Sequence, residues 1–259
     1  MNARPFVAAL LGTAAALAHA GQHCAPHAPT TADITQALAL AQRTARALDA
    51  SGAQVVLLAR AGQDLSAYGL RYSHVGYAYR DDGTKAWRIV HKLNQCGTDR
   101  SALYRHGLAD FFLDQPWRYE AGVVVPTAAV QQALLPLLRD NLRAAALHTP
   151  AYSMVAYPWS QRYQQSNQWA LETLAMAMQP TVTTRVQAQG WLRALGYQPT
   201  TLDLPAFKRL GANLGAANVA FDDHPNSRRF AGRIDTVTVD SVFAFVRSAG
   251  LAGDTIVVR

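Results

Sequence analysis

The chain is poor in several things, and each shortage excludes a class of protein. Two cysteines in 259 residues exclude a small domain stapled by disulfides. Only 16% of the residues are charged while 50% are hydrophobic, which excludes a solvated, low-complexity chain. Glycine and proline, 17 and 12 of them, are spread through the sequence and exclude a coiled coil. After Ala20 no apolar run reaches the roughly 20 residues that a membrane-spanning helix needs. There is no P-loop, dinucleotide fingerprint, zincin motif or Gly-x-Ser-x-Gly elbow, and no cofactor is expected. With no internal repeat and no Ser/Pro/Gly linker, the chain reads as one folding unit large enough to bury a sizeable core.

What is present begins with an address. In Met1 to Ala20, Arg4 supplies a positive start, Phe6 to Leu17 an apolar stretch, and Ala18-His19-Ala20 a small-residue cleavage signal. Residues 1–20 therefore read as a signal peptide and 21–259 as an exported, periplasmic α+β domain. The net charge of +7 then points to anionic lipid, lipopolysaccharide or cell-wall polymer rather than nucleic acid. The basic run Arg228-Arg229-Phe230-Ala231-Gly232-Arg233 reads either as a solvated face or as a phosphate site. In an oxidising compartment Cys24 and Cys96 most simply form one disulfide. The alternative is a metal site from His23, Cys24 and His27, which still lacks a fourth ligand.

Periodicity predicts a helix over Thr31–Ala50 with Ile34, Leu38, Ala41, Ala45 and Leu48 on its buried stripe, and a buried strand over Gln54–Ala59. Two strands, Tyr72–Arg80 and Trp87–Leu93, flank Asp81-Asp82-Gly83-Thr84, a strong hairpin signal. A helix is expected over Ser101–Leu113, a strand over Tyr119–Val125, and a helix kinked at Pro136 over Thr127–Leu147. Further helices are expected over Asn167–Met178, Thr184–Leu195, Pro205–Leu214 and Val237–Ser248, with a strand at Asn218–Phe221. The sum is an antiparallel sheet packed by helices, with a helical C-terminal region.

The hairpin carries the first chemical signal. A turn centred on Asp82-Gly83 pairs residues whose numbers sum to 165, placing His74 opposite His91 on one face, about 5 Å apart at Cβ. Gly76, Ala78 and Ile89 share that face. A paired His–His beside a small residue reads as a base with an orienting partner; the alternative is a structural pair in a core. Ser166 offers a nucleophile at a helix start, where free N–H groups and a partial positive charge suit a developing oxyanion. The alternative is an ordinary N-cap serine.

The segment Tyr72-Ser73-His74-Val75-Gly76-Tyr77 resembles the Ser-His-Val-Gly strand of the permuted NlpC-type branch of the papain-like superfamily. In that branch a histidine strand comes first, the next strand supplies a third polar residue, and a later helix opens with a cysteine. The order here is His74, His91, then Ser166-Asn167-Gln168-Trp169 where those families carry Cys-x-x-Phe/Trp. The whole chain also resembles an uncharacterised family of secreted proteobacterial proteins, through Asn94-Gln95-Cys96-Gly97, Ser166-Asn167-Gln168-Trp169 and Phe221-Asp222-Asp223-His224-Pro225. The resemblance implies a permuted papain-like fold with catalytic residues Ser166, His74 and His91. Serine in the cysteine slot changes the chemistry, because a thiol ionises readily near a helix start whereas a hydroxyl must lose its proton during attack.

Tyr72, Tyr157, Trp159, Tyr163, Asn167 and Trp169 are the candidate substrate-binding residues; the aromatic run before Ser166 is either a core plug or the wall of a groove for sugar or an acyl chain. Asp222-Asp223-His224 reads as an Asp-capped turn with His224 paired to a carboxylate, or as a metal or acid–base cluster. His106 reads as structural and His148 as a helix-end residue. Two functions follow: a hydrolase or acyl transferase acting on an envelope peptide, peptidoglycan or lipid, or a binding or scaffold protein with the same fold and no turnover. A metal-dependent enzyme built on Asp222, Asp223 and His224 is a third.

Overall fold

The computed structural model describes residues 28–114, 116–203 and 217–259; the signal peptide expected over 1–20, Cys24 and the helix expected over 205–214 lie outside these. The chain opens with α1 (Thr31–Ala50), whose N-cap Thr30 and Asp33 form a capping box. Strands β1 (Val55–Ala61), β2 (His74–Arg80), β3 (Trp87–Asn94) and β4 (Ser101–Gly107) follow, then α2 (Leu108–Phe112) and β5 (Arg118–Pro126). Next come α3 (Ala128–Arg139), α4 (Asn141–Ala145), α5 (Ser166–Met178) and α6 (Arg185–Ala194). The chain ends with β6 (Thr200–Asp203), α7 (Asn226–Phe230), β7 (Arg233–Thr236), α8 (Val239–Ser248) and β8 (Ala252–Val258).

Six strands form one antiparallel sheet in the order β4-β3-β2-β1-β5-β8, and β6 pairs with β7 separately. Period-two alternation sends neighbouring residues to opposite faces. Val75, Tyr77, Tyr79 and Val90 face a core built with Val130, Leu134, Trp169 and Leu171 of α3 and α5. Val56, Leu58, Ala78 and Ile89 face Leu40 of α1 and Phe111 and Phe112 of α2. The mixed α+β class with an antiparallel sheet is thus the observed one. Among the described residues, no helix is long and apolar enough to cross a membrane.

Several elements depart from expectation. Ser101–Gly107 is a strand, not a helix: Arg88 to Asn94 of β3 pair with it residue for residue, so tertiary pairing overrides the local pattern. The stripe of α1 is rotated, with Ala37, Leu40, Ala41, Thr44 and Leu48 buried while Ile34 and Leu38 are exposed. Small residues at 37, 41 and 44 let this helix lie close to its neighbours. Pro136 sits inside α3, and the break comes instead at Asp140, which turns extended and caps α4 by accepting from Leu142 N and Arg143 N. Asn218–Phe221 forms no strand; the segment is tied to Ser153 and Met154 by hydrogen bonds. The strands β6, β7 and β8 were not expected.

Candidate functional site

The hairpin register differs from the expected one and keeps its consequence. Tyr77 pairs with Val90 and Arg80 with Trp87, so paired numbers sum to 167. Asp81 organises the longer turn: Gly83 N and Thr84 N donate to its Oδ1, and Lys85 adopts a left-handed φ of 59°. A slip of two residues leaves every side chain on its original face, whereas a slip of one would reverse them. His74 and His91 therefore meet diagonally, with His74 Nε2 2.8 Å from His91 Nδ1. Gly76 makes room: a Cβ there would lie 2.7 Å from His91 Cβ and 2.9 Å from the Val90 carbonyl oxygen.

The unexpected strand β4 adds a third imidazole. His91 Nε2 is 3.0 Å from His106 Nδ1, again diagonally, since Ile89 is the residue paired with His106. Phe111 packs against both His74 and His91, with ring centroids 5.9 and 5.2 Å away. The Arg60 guanidinium lies over the same Phe111 ring and bonds the Phe111 carbonyl and Asp114. Burial, then the Arg60 charge, then the neighbouring imidazole hold His74 well below the ordinary histidine range. Burial, Arg60 and His106 push His91 down to about 2. Both rings are neutral at ordinary pH.

Ser166 is the first residue of α5; Gln165, not Ser166, takes the N-cap position. The Gln165 side chain makes no cap and donates instead to Thr236 Oγ1, so the first N–H groups of α5 lack a side-chain cap. Ser166 is buried, and its side chain lies beside that of Tyr152. Asn167 ties this helix start to the start of β2. Its Oδ1 accepts from Val75 N at 3.1 Å, and its Nδ2 donates to Ser73 O at 3.4 Å and Val237 O at 3.3 Å. Asn167 thus straddles His74. The helix covers one face of the sheet, the histidines project from the other, and Asn167 joins the helix start to the backbone on both sides of His74; among the described residues no hydrogen bond links Ser166 to either histidine.

A buried polar cluster sets the rest of α5. Glu172 receives Gln164, Gln168, Gln189 and Arg185, the last through Nε at 2.8 Å and Nη2 at 3.2 Å. Lys92, fully buried, donates to Thr149 O and Gln164 Oε1. Burial and then Arg185 push Lys92 down to about 6, opposed by Glu172. Sequence reading singled out neither residue; a Lys inside a strand and a Gln/Glu series at helical spacing were the available signals.

The substrate-binding candidates divide. Trp169 is wholly buried and donates to Ala144 O, and Tyr72 packs over Gly122 and against Phe243; both are core residues. Tyr163 lies under the Arg162 guanidinium. Tyr157 and Trp159 line a cleft of about 290 Å³ with Arg193, Tyr197, Arg228 and Asp235. Both ring nitrogens of His224 are engaged, by Asp223 Oδ1 and Asp235 O, and Asp222 pairs with Arg162. Both ring nitrogens of His224 are thus turned toward protein oxygens rather than toward an open site. Cys96 is disulfide-bonded; Cys24, the other cysteine in the chain, lies outside the described residues. Among the described residues, no group of three or more His, Cys, Asp or Glu is placed to hold a metal ion.

Residues 47–246 match a family described as uncharacterized proteins conserved in bacteria. The chain belongs to the DUF2145 family. The matched span of this DUF2145 chain contains His74, His91, His106, Ser166 and the Glu172 cluster, and leaves β8 outside. No curated protein and no solved structure matches the chain.

Proposed function

We propose that this DUF2145 protein is an exported, permuted papain-like hydrolase or acyl transferase acting on an amide or ester of the cell envelope. The carrying observation is the neutral His74–His91 pair held where Asn167 fastens the start of α5 to the start of β2. In this reading His74 Nδ1, which makes no hydrogen bond among the described residues, takes the proton from Ser166 during attack. His91 orients the imidazole, and the uncapped N–H groups of α5 stabilise the oxyanion. The cleft beside Tyr157 and Trp159 has a mostly polar lining with two arginines, which favours a polar, acidic envelope substrate over an acyl chain.

A second reading rests on Arg60 and Ser166. Arg60 opposes a positive charge on either imidazole, and a serine hydroxyl, unlike a thiol, needs that charge to form during attack. On this reading the frame binds its ligand without turnover.

Labelling with a fluorophosphonate decides between them. The enzyme reading expects wild type to be labelled and Ser166→Ala and His74→Ala to be unlabelled. A Ser166→Cys variant separates frame from activity. Alkylation of its introduced thiol by iodoacetamide at neutral pH, slowed at least tenfold by adding His74→Ala, shows the two positions within reach. That result with an unlabelled wild type favours the binding protein; equal alkylation rates with and without His74, and no labelling, overturn the site altogether.

A further inference from the structure

We infer that His106 is the outer end of a three-imidazole proton wire that begins at His74 Nδ1 and passes through His91. Its use in catalysis rests on the function proposed above; its existence does not.

The geometry is a continuous chain. His74 Nε2 meets His91 Nδ1 at 2.8 Å, and His91 Nε2 meets His106 Nδ1 at 3.0 Å, both ordinary hydrogen-bond distances. The two outer nitrogens, His74 Nδ1 and His106 Nε2, form no hydrogen bond among the described residues. Each end of the chain thus carries a ring nitrogen without a partner among the described residues, on a buried ring at His74 and a half-buried one at His106, while His91 between them is fully buried.

A neutral imidazole carries one N–H, on one nitrogen or the other. Both links are hydrogen bonds only when each holds one proton. Three neutral rings meet that condition in two ways: every ring protonated at Nε2, or every ring protonated at Nδ1. A mixed arrangement leaves one link with no proton or with two. The tautomers of residues 74, 91 and 106 are thus coupled.

Proton movement follows. In the all-Nε2 state His74 Nδ1 presents a lone pair. When it gains a proton, the Nε2–H bond of His74 breaks as Nδ1–H of His91 forms, and Nε2–H of His91 breaks as Nδ1–H of His106 forms. The positive charge then stands on His106, which is half-buried on β4, instead of on the two rings whose charge Arg60 opposes. Loss of Nε2–H from His106 to water leaves the all-Nδ1 state. The reverse sequence returns a proton from His74 Nδ1 to a leaving group. Arg60, which opposes charge on His74 and His91, gives the wire its direction.

The experiment is ¹⁵N–¹H long-range correlation of histidine-labelled protein, which reports the tautomer of each ring. Wild type is expected to show residues 74, 91 and 106 in the same tautomer. Mixed tautomers overturn the wire whatever Ser166 does. His106→Phe is expected to shift the tautomer populations of His91 and His74 both; a change confined to His91 also overturns it. His106→Asn, which keeps a hydrogen-bonding atom at the Nδ1 position but passes no proton, separates relay from support. The wire expects fluorophosphonate labelling to fall at least tenfold in both variants, whereas recovery in His106→Asn means that His106 only holds His91 in place. If wild type is not labelled at all, the proposed hydrolysis fails while the tautomers still decide the wire.

Discussion

At the scale of single residues, the histidine pair depends on an atom that is missing. A methyl group at position 76 would press on His91 Cβ at 2.7 Å and on a backbone carbonyl oxygen at 2.9 Å. Neither contact is relieved by side-chain rotation, because Cβ is fixed to the backbone, and the strand cannot retreat without breaking its ladder to β3. Gly76→Ala is therefore expected to destabilise the protein by about 1–3 kcal/mol, the usual cost of overpacking, and to separate His74 from His91. Urea denaturation reads the first effect and histidine ¹⁵N shifts the second; unchanged stability with an intact pair would refute the argument. The pairing of His74 with His91 was legible because strand alternation is insensitive to a two-residue error in register. His106 was hidden for the opposite reason: read as helical, Ser101–Leu113 sends that side chain nowhere near β3, and only the ladder from Arg88 to Asn94 shows where it goes.

Among the elements, α5 was legible in its extent but not in what anchors it. Its apolar residues announce a buried helix, yet its position is set by polar groups at long sequence separation: Asn167 on Ser73 and Val75, and Glu172 on Arg185. Nothing in a single sequence says which buried carboxylate meets which guanidinium. Removing one partner of such an enclosed pair leaves the other charged and unpaired, which costs about 3–5 kcal/mol. Glu172→Ala is expected to lose that much stability in urea titration and to slow any labelling of Ser166 by loosening the helix start. The exposed pair Arg247–Asp254, by contrast, has 59% and 91% of its side chains in water. Asp254→Ala is expected to change stability by less than about 1 kcal/mol. Equal losses in the two variants would show that burial is not what makes the Glu172 cluster matter. The rotated face of α1 has a similar origin, because periodicity shows that a stripe exists while the bulk of the facing α2 and β5 chooses which one is buried.

For the whole molecule, alternating runs and turn signals pointed to an antiparallel sheet with helices, and the structure has one. The neighbour order was not legible, since β8 joins β5 from the far end of the chain and its short alternation resembles an ordinary surface strand. The same sheet carries three buried bases whose protonation is tied to the folded state as a whole. His74 and His91 lie below the ordinary histidine value and Lys92 is lowered to about 6. In each case the unfolded chain binds a proton that the folded chain refuses, so stability rises with pH wherever the two differ. For the histidines that window lies below about pH 6.5, and stability falls steadily as acid is added. For Lys92 it runs from about pH 6 to the ordinary lysine value near 10.5, with a slope of at most about 1.4 kcal/mol per pH unit from its single proton. Urea midpoints measured from about pH 7 to about pH 10 are therefore expected to climb in wild type and to flatten in Lys92→Met, which keeps the aliphatic stem and removes the titrating group. A Lys92→Met protein whose midpoints climb as steeply as wild type would assign the slope to other groups and remove the basis for a neutral lysine beside Gln164.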